Sequence, residues 1–145
     1  MYPSPFISVA AVVLTNDAGQ VALVRKYQTT ALIFPGGKPE PGETARAAAA
    51  RELHEELGIV VAAEDFTHVG EYTTRAANEA ATELRSDVYS TPLPPGQHAS
   101  AQAEIAEMWW VDPAALDVPA GYRLAPLSSR VLQLLAQGTV PGQHR

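Results

Sequence analysis

Between Gly37 and Ile59 the chain reads GKPEPGETARAAAARELHEELGI, and this stretch constrains the fold more than any other. A Gly/Pro-rich loop runs into Thr44, a residue type that caps helix N-termini. The Ala-rich segment behind it has high intrinsic helix propensity. Gly58 suits the left-handed residue that ends a helix, with Ile59 packing back on Leu53 beyond it. At about 100° per residue, Glu52, Glu55 and Glu56 fall within an arc of roughly 100°. Leu53, Leu57, Ala49 and Ala50 occupy the neighbouring arc and are expected to face a sheet. One turn earlier the acidic arc continues as Ala45 and Ala48, whose small side chains leave room for a ligand to approach. His54 points elsewhere.

Such an acidic arc carries a penalty. Like charges three or four residues apart cost roughly 0.2–0.5 kcal/mol per pair, and carboxylates in the last turn oppose the helix dipole. A solvated acidic face is one account. A divalent cation is the other, because Mg²⁺ prefers oxygen ligands and commonly combines a few carboxylates with substrate phosphates. Glu52 and Glu56, one turn apart, can share a cation, and Glu55 can add a ligand or hold a water. The preceding glycines let backbone carbonyls come close, having no Cβ in the way.

The remainder of the chain reads as alternating strands and turns. Ile7–Leu14 is a nearly continuous apolar run, followed by turn chemistry at Asn16-Asp17-Ala18-Gly19 and a second run over Val21–Val24, which makes a hairpin of central strands. Ala31–Phe34 is a short strand stopped by Pro35-Gly36-Gly37. Further strands are expected near His68–Thr74, Glu83–Thr91 and Ile105–Val111, with a short turn or helix from Asp112-Pro113. Pro126 opens a last helix, with Leu127, Val131, Leu134 and Leu135 on one face and Gly138 at its end. Strands on both sides of one strong helix imply an α/β domain, a mixed sheet with helices packed on its faces.

Bulk properties narrow the class. The chain has 145 residues and 46% hydrophobic content, enough for one domain, 1–145, with a frayed tail over 139–145. Its net charge of −6 argues against nonspecific binding of nucleic acid or an anionic membrane. The absence of cysteine excludes disulfides and thiolate metal sites and suits the cytoplasm. The N-terminus has neither the basic start nor the cleavage site of a signal peptide, and its apolar run is too short to span a bilayer. Trp109 and Trp110 are expected on opposite faces of one strand, one of them in the core. Sheet edges and this Trp pair, if uncovered, favour a homodimer. His68 and His98 show no ligand spacing.

The pattern Gly37-x5-Glu43-x7-Arg51-Glu52-Leu53-x-Glu55-Glu56-x-Gly58-Ile59 resembles a complete Nudix box. With each type at roughly 6% usage, a chance match at its fixed positions is on the order of 10⁻⁹ per start, so coincidence does not explain it. The resemblance implies an α/β/α sandwich with a central mixed sheet. It implies a hydrolase that uses Mg²⁺ or Mn²⁺ to cleave the pyrophosphate linkage of a nucleoside diphosphate joined to another moiety. Glu52, Glu56 and Glu55 are then metal ligands, joined by the carbonyl of Gly36, and Arg51 with Glu43 forms an orienting pair. The segment Gln102–Val111 is similar to one that carries an acidic residue near the metals in MutT-type relatives. Glu104 is the first choice for a general base and Glu107 the second, with Glu52 or Glu56 as alternatives.

Arg25, Lys26 and Lys38 are candidates for binding phosphate. Leu32-Ile33-Phe34-Pro35 stands where oxidised-guanine sanitation enzymes often have Trp-Glu-Phe-Pro, and no proline marks the Thr73–Arg75 neighbourhood as it often does in ADP-ribose pyrophosphatases. The leaving group therefore stays open. A nucleotide-binding module without catalysis is the competing function on the same fold.

Overall fold

The computed structural model describes residues 6–76 and 82–138; the expected tail over 139–145 lies outside them. Strand β1 (Phe6–Thr15) is central, and its burial explains its composition. It pairs in parallel with β6 (Glu83–Pro92) along its whole length, from Phe6↔Glu83 to Thr15↔Pro92. Beyond β6 lies β5 (Thr67–Arg75), antiparallel to it. On its other side β1 meets β2 (Val21–Lys26), which in turn pairs with β7 (Ile105–Val111), giving the order β5-β6-β1-β2-β7. Both faces of this mixed sheet are covered over Ala10–Leu14, so β1 is continuously apolar and buried there, whereas exposed Phe6 and Ser8 alternate with half-buried Ile7 and Val9 at its start.

Helix α1 (Ala45–Leu57) covers one face. Thr44 caps it, its hydroxyl accepting from Ala47 N at 3.0 Å, and Gly58 closes it at φ 73°. Leu53, Leu57 and Ile59 pack there against Val12, Leu14 and Val24. Ala48 is fully buried in this cluster and Ala45 packs against it, so these two small residues do not leave an open approach for a ligand. They let the helix approach the sheet, where β1 and β2 offer Ala10 and Ala22. Helix α2 (Pro126–Ala136) covers the other face with Leu127, Val131, Leu132 and Leu135. Leu132 joins this face where Leu134 was expected; Leu134 is only partly buried. No helix among the described residues is long and apolar enough to cross a membrane.

The feature that builds the site is a splay between β1 and β2. They pair only at Thr15↔Val21 and then diverge. The chain from Ala31 to Gly37 fills the gap. Its first part, β3 (Ala31–Leu32), pairs in parallel with β8 (Arg123–Leu124), and Ile33 exchanges two backbone hydrogen bonds with Val24 at 2.7 and 2.9 Å. Its last part, β4 (Gly36–Gly37), pairs with β1 at Ala11 and Ala10. The glycines expected in a loop are therefore a short strand. Gly36 adopts φ 153°, and a Cβ there would stand 2.0 Å from the Ala10 carbonyl oxygen. That obstacle is backbone, so Gly36→Ala is expected to cost roughly 3 kcal/mol or more, about 10 °C in Tm by thermal melting. A Tm unchanged from wild type would show that β4 is not wedged there.

Candidate active site

The two glycines of β4 face the acidic end of α1. Gly36 N donates to Glu56 Oε1 at 3.1 Å. Gly37 lies so close to Glu52 that an added Cβ would fall 2.0 Å from Glu52 Oε2. Glu56 is only 1% exposed, an unusual place for a carboxylate without a cationic partner.

A third carboxylate arrives from a separate segment, the loop before β7. The last carbonyls of α1 lack helical partners, and the loop before β7 supplies some of them. Ser100 N donates to Leu57 O at 3.2 Å, and Gln102 N donates to Glu56 O at 2.9 Å. Ala103 then takes φ 53°, a left-handed conformation uncommon for a residue with a Cβ. Glu104 follows, its carbonyl held by Tyr27 N at 3.1 Å. Carboxylate oxygens of Glu52, Glu56 and Glu104 consequently lie within 4.8 Å of one another.

Electrostatics follow from this crowding. Burial pushes Glu56 up to about 8, and the neighbouring Glu52 and Glu104 add to that, outweighing the Gly36 amide. Burial also raises Glu52; Glu55 and Glu104 push the same way, while Arg51 pulls it back. Three carboxylates so placed repel one another, and a counter-charge between them would relieve that repulsion. All three donors are hard oxygens, with Glu56 buried, Glu52 half-buried and Glu104 exposed, and no sulfur or imidazole is in the group. This donor set fits Mg²⁺ or Mn²⁺.

Arg51 anchors the loop to the helix. Its Nε and Nη2 each donate to Glu43 at 2.9 Å, and Nη2 also reaches Lys38 O at 3.2 Å. Its Nη1 lies 3.3 Å from Glu52 and 3.4 Å from Glu55. The Arg51 guanidinium, with the Glu40 amide, holds Glu43 down at about 2. A carboxylate with a lowered pKa contributes stability that is present above its unfolded value and lost as pH falls through the folded one. Arg51→Met is therefore expected to lower Tm at pH 7 by on the order of 5 °C. The gap should close as pH falls from about 4.5 toward about 2. A gap independent of pH would assign the loss to packing instead.

The remaining expected residues are distributed by strand alternation. Glu107 lies on the α2 side of β7, where its Oε2 accepts from Arg25 Nε at 2.6 Å and from Tyr122 Oη at 2.5 Å. The Arg25 Nη1 donates to Thr29 O at 2.9 Å, and its guanidinium lies 5.1 Å from the Tyr122 ring. Arg25 and Glu107 thus fasten β2 to β7, and they are not gathered with the three carboxylates. Lys26, not Arg25, lines a cleft beside Lys38, Gly36 and Gly37. Glu55 is outside the three-carboxylate group, with its side chain 49% exposed beside Arg51. The observed contact of Gly36 is made by its amide. Trp110 packs on the α1 side and Trp109 on the α2 side, where it meets Tyr122 edge-on at 6.4 Å. Both are partly buried. Arg75, which the sequence did not single out, lines the same cleft as the two lysines.

A mixed sheet between helices, with a glycine strand against the end of one helix and the loop before β7 bringing a further carboxylate to it, defines an α/β/α sandwich with a three-carboxylate cluster that could hold a metal ion. The family model of the NUDIX domain matches residues 5–135. The chain belongs to that family. Over 58 residues, 37% of this chain and 43% of the relative, it is 45% identical to an 8-oxo-dGTP diphosphatase of Haemophilus influenzae. Over 57 residues, 39% of this chain and 36% of the relative, it is 44% identical to an RNA pyrophosphohydrolase of Pseudomonas putida. The matches thus span less than half of either relative. The fold is shared with a MutT protein from Methanosarcina mazei at TM-score 0.72 and 18% identity, covering 95% of this chain and 97% of that one.

Proposed function

We propose that the protein is a Mg²⁺- or Mn²⁺-dependent hydrolase that cleaves the pyrophosphate linkage of a small nucleoside diphosphate derivative, working in the cytoplasm. The observation that carries this reading is the meeting of Glu52, Glu56 and Glu104, from two separate elements, within 4.8 Å beside a glycine strand. Glu52 and Glu56 would be the principal ligands for the cation, with Glu55 and the Gly36 carbonyl as further ligands. A bound divalent ion supplies neutralisation of phosphate oxygens and lowers the pKa of water.

The chain itself supplies position. Glu104 is exposed where Glu52 and Glu56 are partly or fully buried, so it is the carboxylate free to receive a proton from the attacking water. The water oxygen bonds to phosphorus, the bridging P–O bond breaks, and two phosphate products leave. Arg51 touches no reacting atom in this scheme; through Glu43 and Lys38 it keeps the loop against the helix. Phosphoryl transfer needs mostly positioning and charge stabilisation, which is what this rigid arrangement offers. The test is a Mg²⁺-supplemented screen of nucleoside di- and triphosphates, nucleotide sugars and dinucleoside polyphosphates, read as phosphate after phosphatase treatment. Turnover abolished by EDTA is expected. Tight nucleotide binding with no product over hours would replace this reading with a binding module.

A further inference from the structure

Glu104 is the exposed member of the carboxylate cluster, and backbone outside the cluster holds it in place. Among the described residues, Gln28 at φ 64° and Ala103 at φ 53° are those that adopt left-handed backbone without being glycine. One hydrogen bond joins their neighbours: Tyr27 N donates to Glu104 O at 3.1 Å. Residues with a Cβ stay in this region only where surrounding contacts over-determine them, and such positions gather at functional sites. The same stretch has an irregular register. Arg25 stands opposite Glu107 and Lys26 opposite Ile105, so Ala106 is an extra residue on β7. Bulges of this kind re-aim neighbouring side chains.

The contacts that hold this backbone come from the α2 side of the sheet. Arg25 and Glu107 are the last Cα partners before the bulge. Arg25 Nε donates to Glu107 Oε2 at 2.6 Å, and Tyr122 Oη donates to the same oxygen at 2.5 Å. The other arm of the guanidinium enters the turn between β2 and β3, where Nη1 donates to Thr29 O at 2.9 Å and to Lys26 O at 3.3 Å. Thr29 closes that turn, its N and Oγ1 donating to Lys26 O at 3.2 and 2.9 Å. Next to Tyr122, Arg123 N donates to Thr30 O at 3.0 Å. One guanidinium therefore ties the bulge to the turn that carries Tyr27. The Arg25 and Glu107 side chains are 17% and 33% exposed, so their charge-assisted bonds are partly shielded from water and salt.

We infer that Arg25, with Glu107 and Tyr122, positions Glu104: it fixes the turn after β2 so that the Tyr27 amide keeps the Glu104 backbone where its carboxylate meets Glu52 and Glu56. This rests on the reading of Glu104 as the proton acceptor of a hydrolase. Arg25, Glu107 and Tyr122 are positioning residues and act through backbone.

The experiment compares Arg25→Lys and Tyr122→Phe in the full chain. Lysine keeps the charge but lacks the fork that reaches Glu107 and the turn carbonyls together. Phenylalanine removes only the hydroxyl. In metal-free protein, amide hydrogen exchange over 26–30 and 102–106 is expected to accelerate about 10-fold in Arg25→Lys and about 3-fold in Tyr122→Phe, with α1 within about 2-fold of wild type. Turnover of GTP and of ADP-ribose in Mg²⁺ is measured alongside. Arg25→Lys should lower kcat about 10-fold with KM within about 3-fold, and should change kcat by less than about 2-fold in the Glu104→Gln background. Exchange unmoved in both segments, an equal loss of protection in α1, or the same loss of kcat with and without Glu104→Gln would each overturn the inference. Exchange as expected with Glu104→Gln as active as wild type would uphold the positioning and reject Glu104 as proton acceptor. Exchange as expected with neither probe hydrolysed would uphold the positioning and count against the hydrolase reading.

Discussion

Replacing Glu56 by Gln is expected to lower kcat by about 10³-fold while raising the Tm of the metal-free protein at pH 8–9. The two effects have one origin. Glu56 is 1% exposed, and its carboxylate accepts from the Gly36 amide at 3.1 Å. A glutamine keeps that acceptor and nearly the same volume, so packing around Leu53 and Leu57 is preserved. It removes a buried charge that Glu52 and Glu104 oppose, a change worth on the order of 1–3 kcal/mol, or about 5 °C in Tm. The same neutralisation removes an anionic oxygen from the proposed cation centre. A variant as active as wild type would remove Glu56 from the centre. A variant that simply unfolded would show that its role is in packing.

The second large effect is a pH dependence that a divalent cation suppresses. In the unfolded chain Glu56 titrates near its ordinary 4.5, whereas in the folded protein burial holds it up at about 8. Between these values the native state binds more protons than the unfolded one, so stability falls as pH rises. It is greatest below about 4.5 for this group and levels off above about 8. Glu52 is shifted in the same direction and adds to the slope. Thermal melts in EDTA are expected to show Tm falling by on the order of 10 °C across that window. Mg²⁺ in the millimolar range should flatten the profile, since a ligand at about 100 times its Kd stabilises by roughly 2.7 kcal/mol. A profile that neither slopes nor responds to Mg²⁺ would mean that Glu56 and Glu52 carry no excess protons and that the cluster binds no ion.

Local chemistry made much of this arrangement readable from the chain. Thr44 and Gly58 mark the ends of α1 because capping depends on residues a few positions apart. Glu52 and Glu56 could be named from helical periodicity, and Glu104 from the resemblance of its segment to that of MutT-type relatives. What stayed hidden depends on partners distant in sequence. Gly36 and Gly37 have no side chains to announce a strand, and only the splay of β1 from β2 creates an edge for them. Ala48 looked like a gap beside the acidic arc because helical periodicity gives angles without saying where the sheet lies. Glu104 and Glu107 differ by three positions and end up in different environments. The turn that separates them passes through Ala103 at φ 53°, a position where glycine would have been a signal and alanine is not. Alternation puts Arg25 and Lys26 on opposite faces, but which face meets the cleft depends on the pairing of β2 with β7.

The most direct test is titration of Mn²⁺ into the substrate-free protein, with free ion followed by electron paramagnetic resonance. Wild-type protein is expected to bind the ion with a dissociation constant at least about 10-fold lower than either Glu52→Gln or Glu56→Gln. Equal affinity in all three proteins would contradict the assignment of these carboxylates as the cation centre.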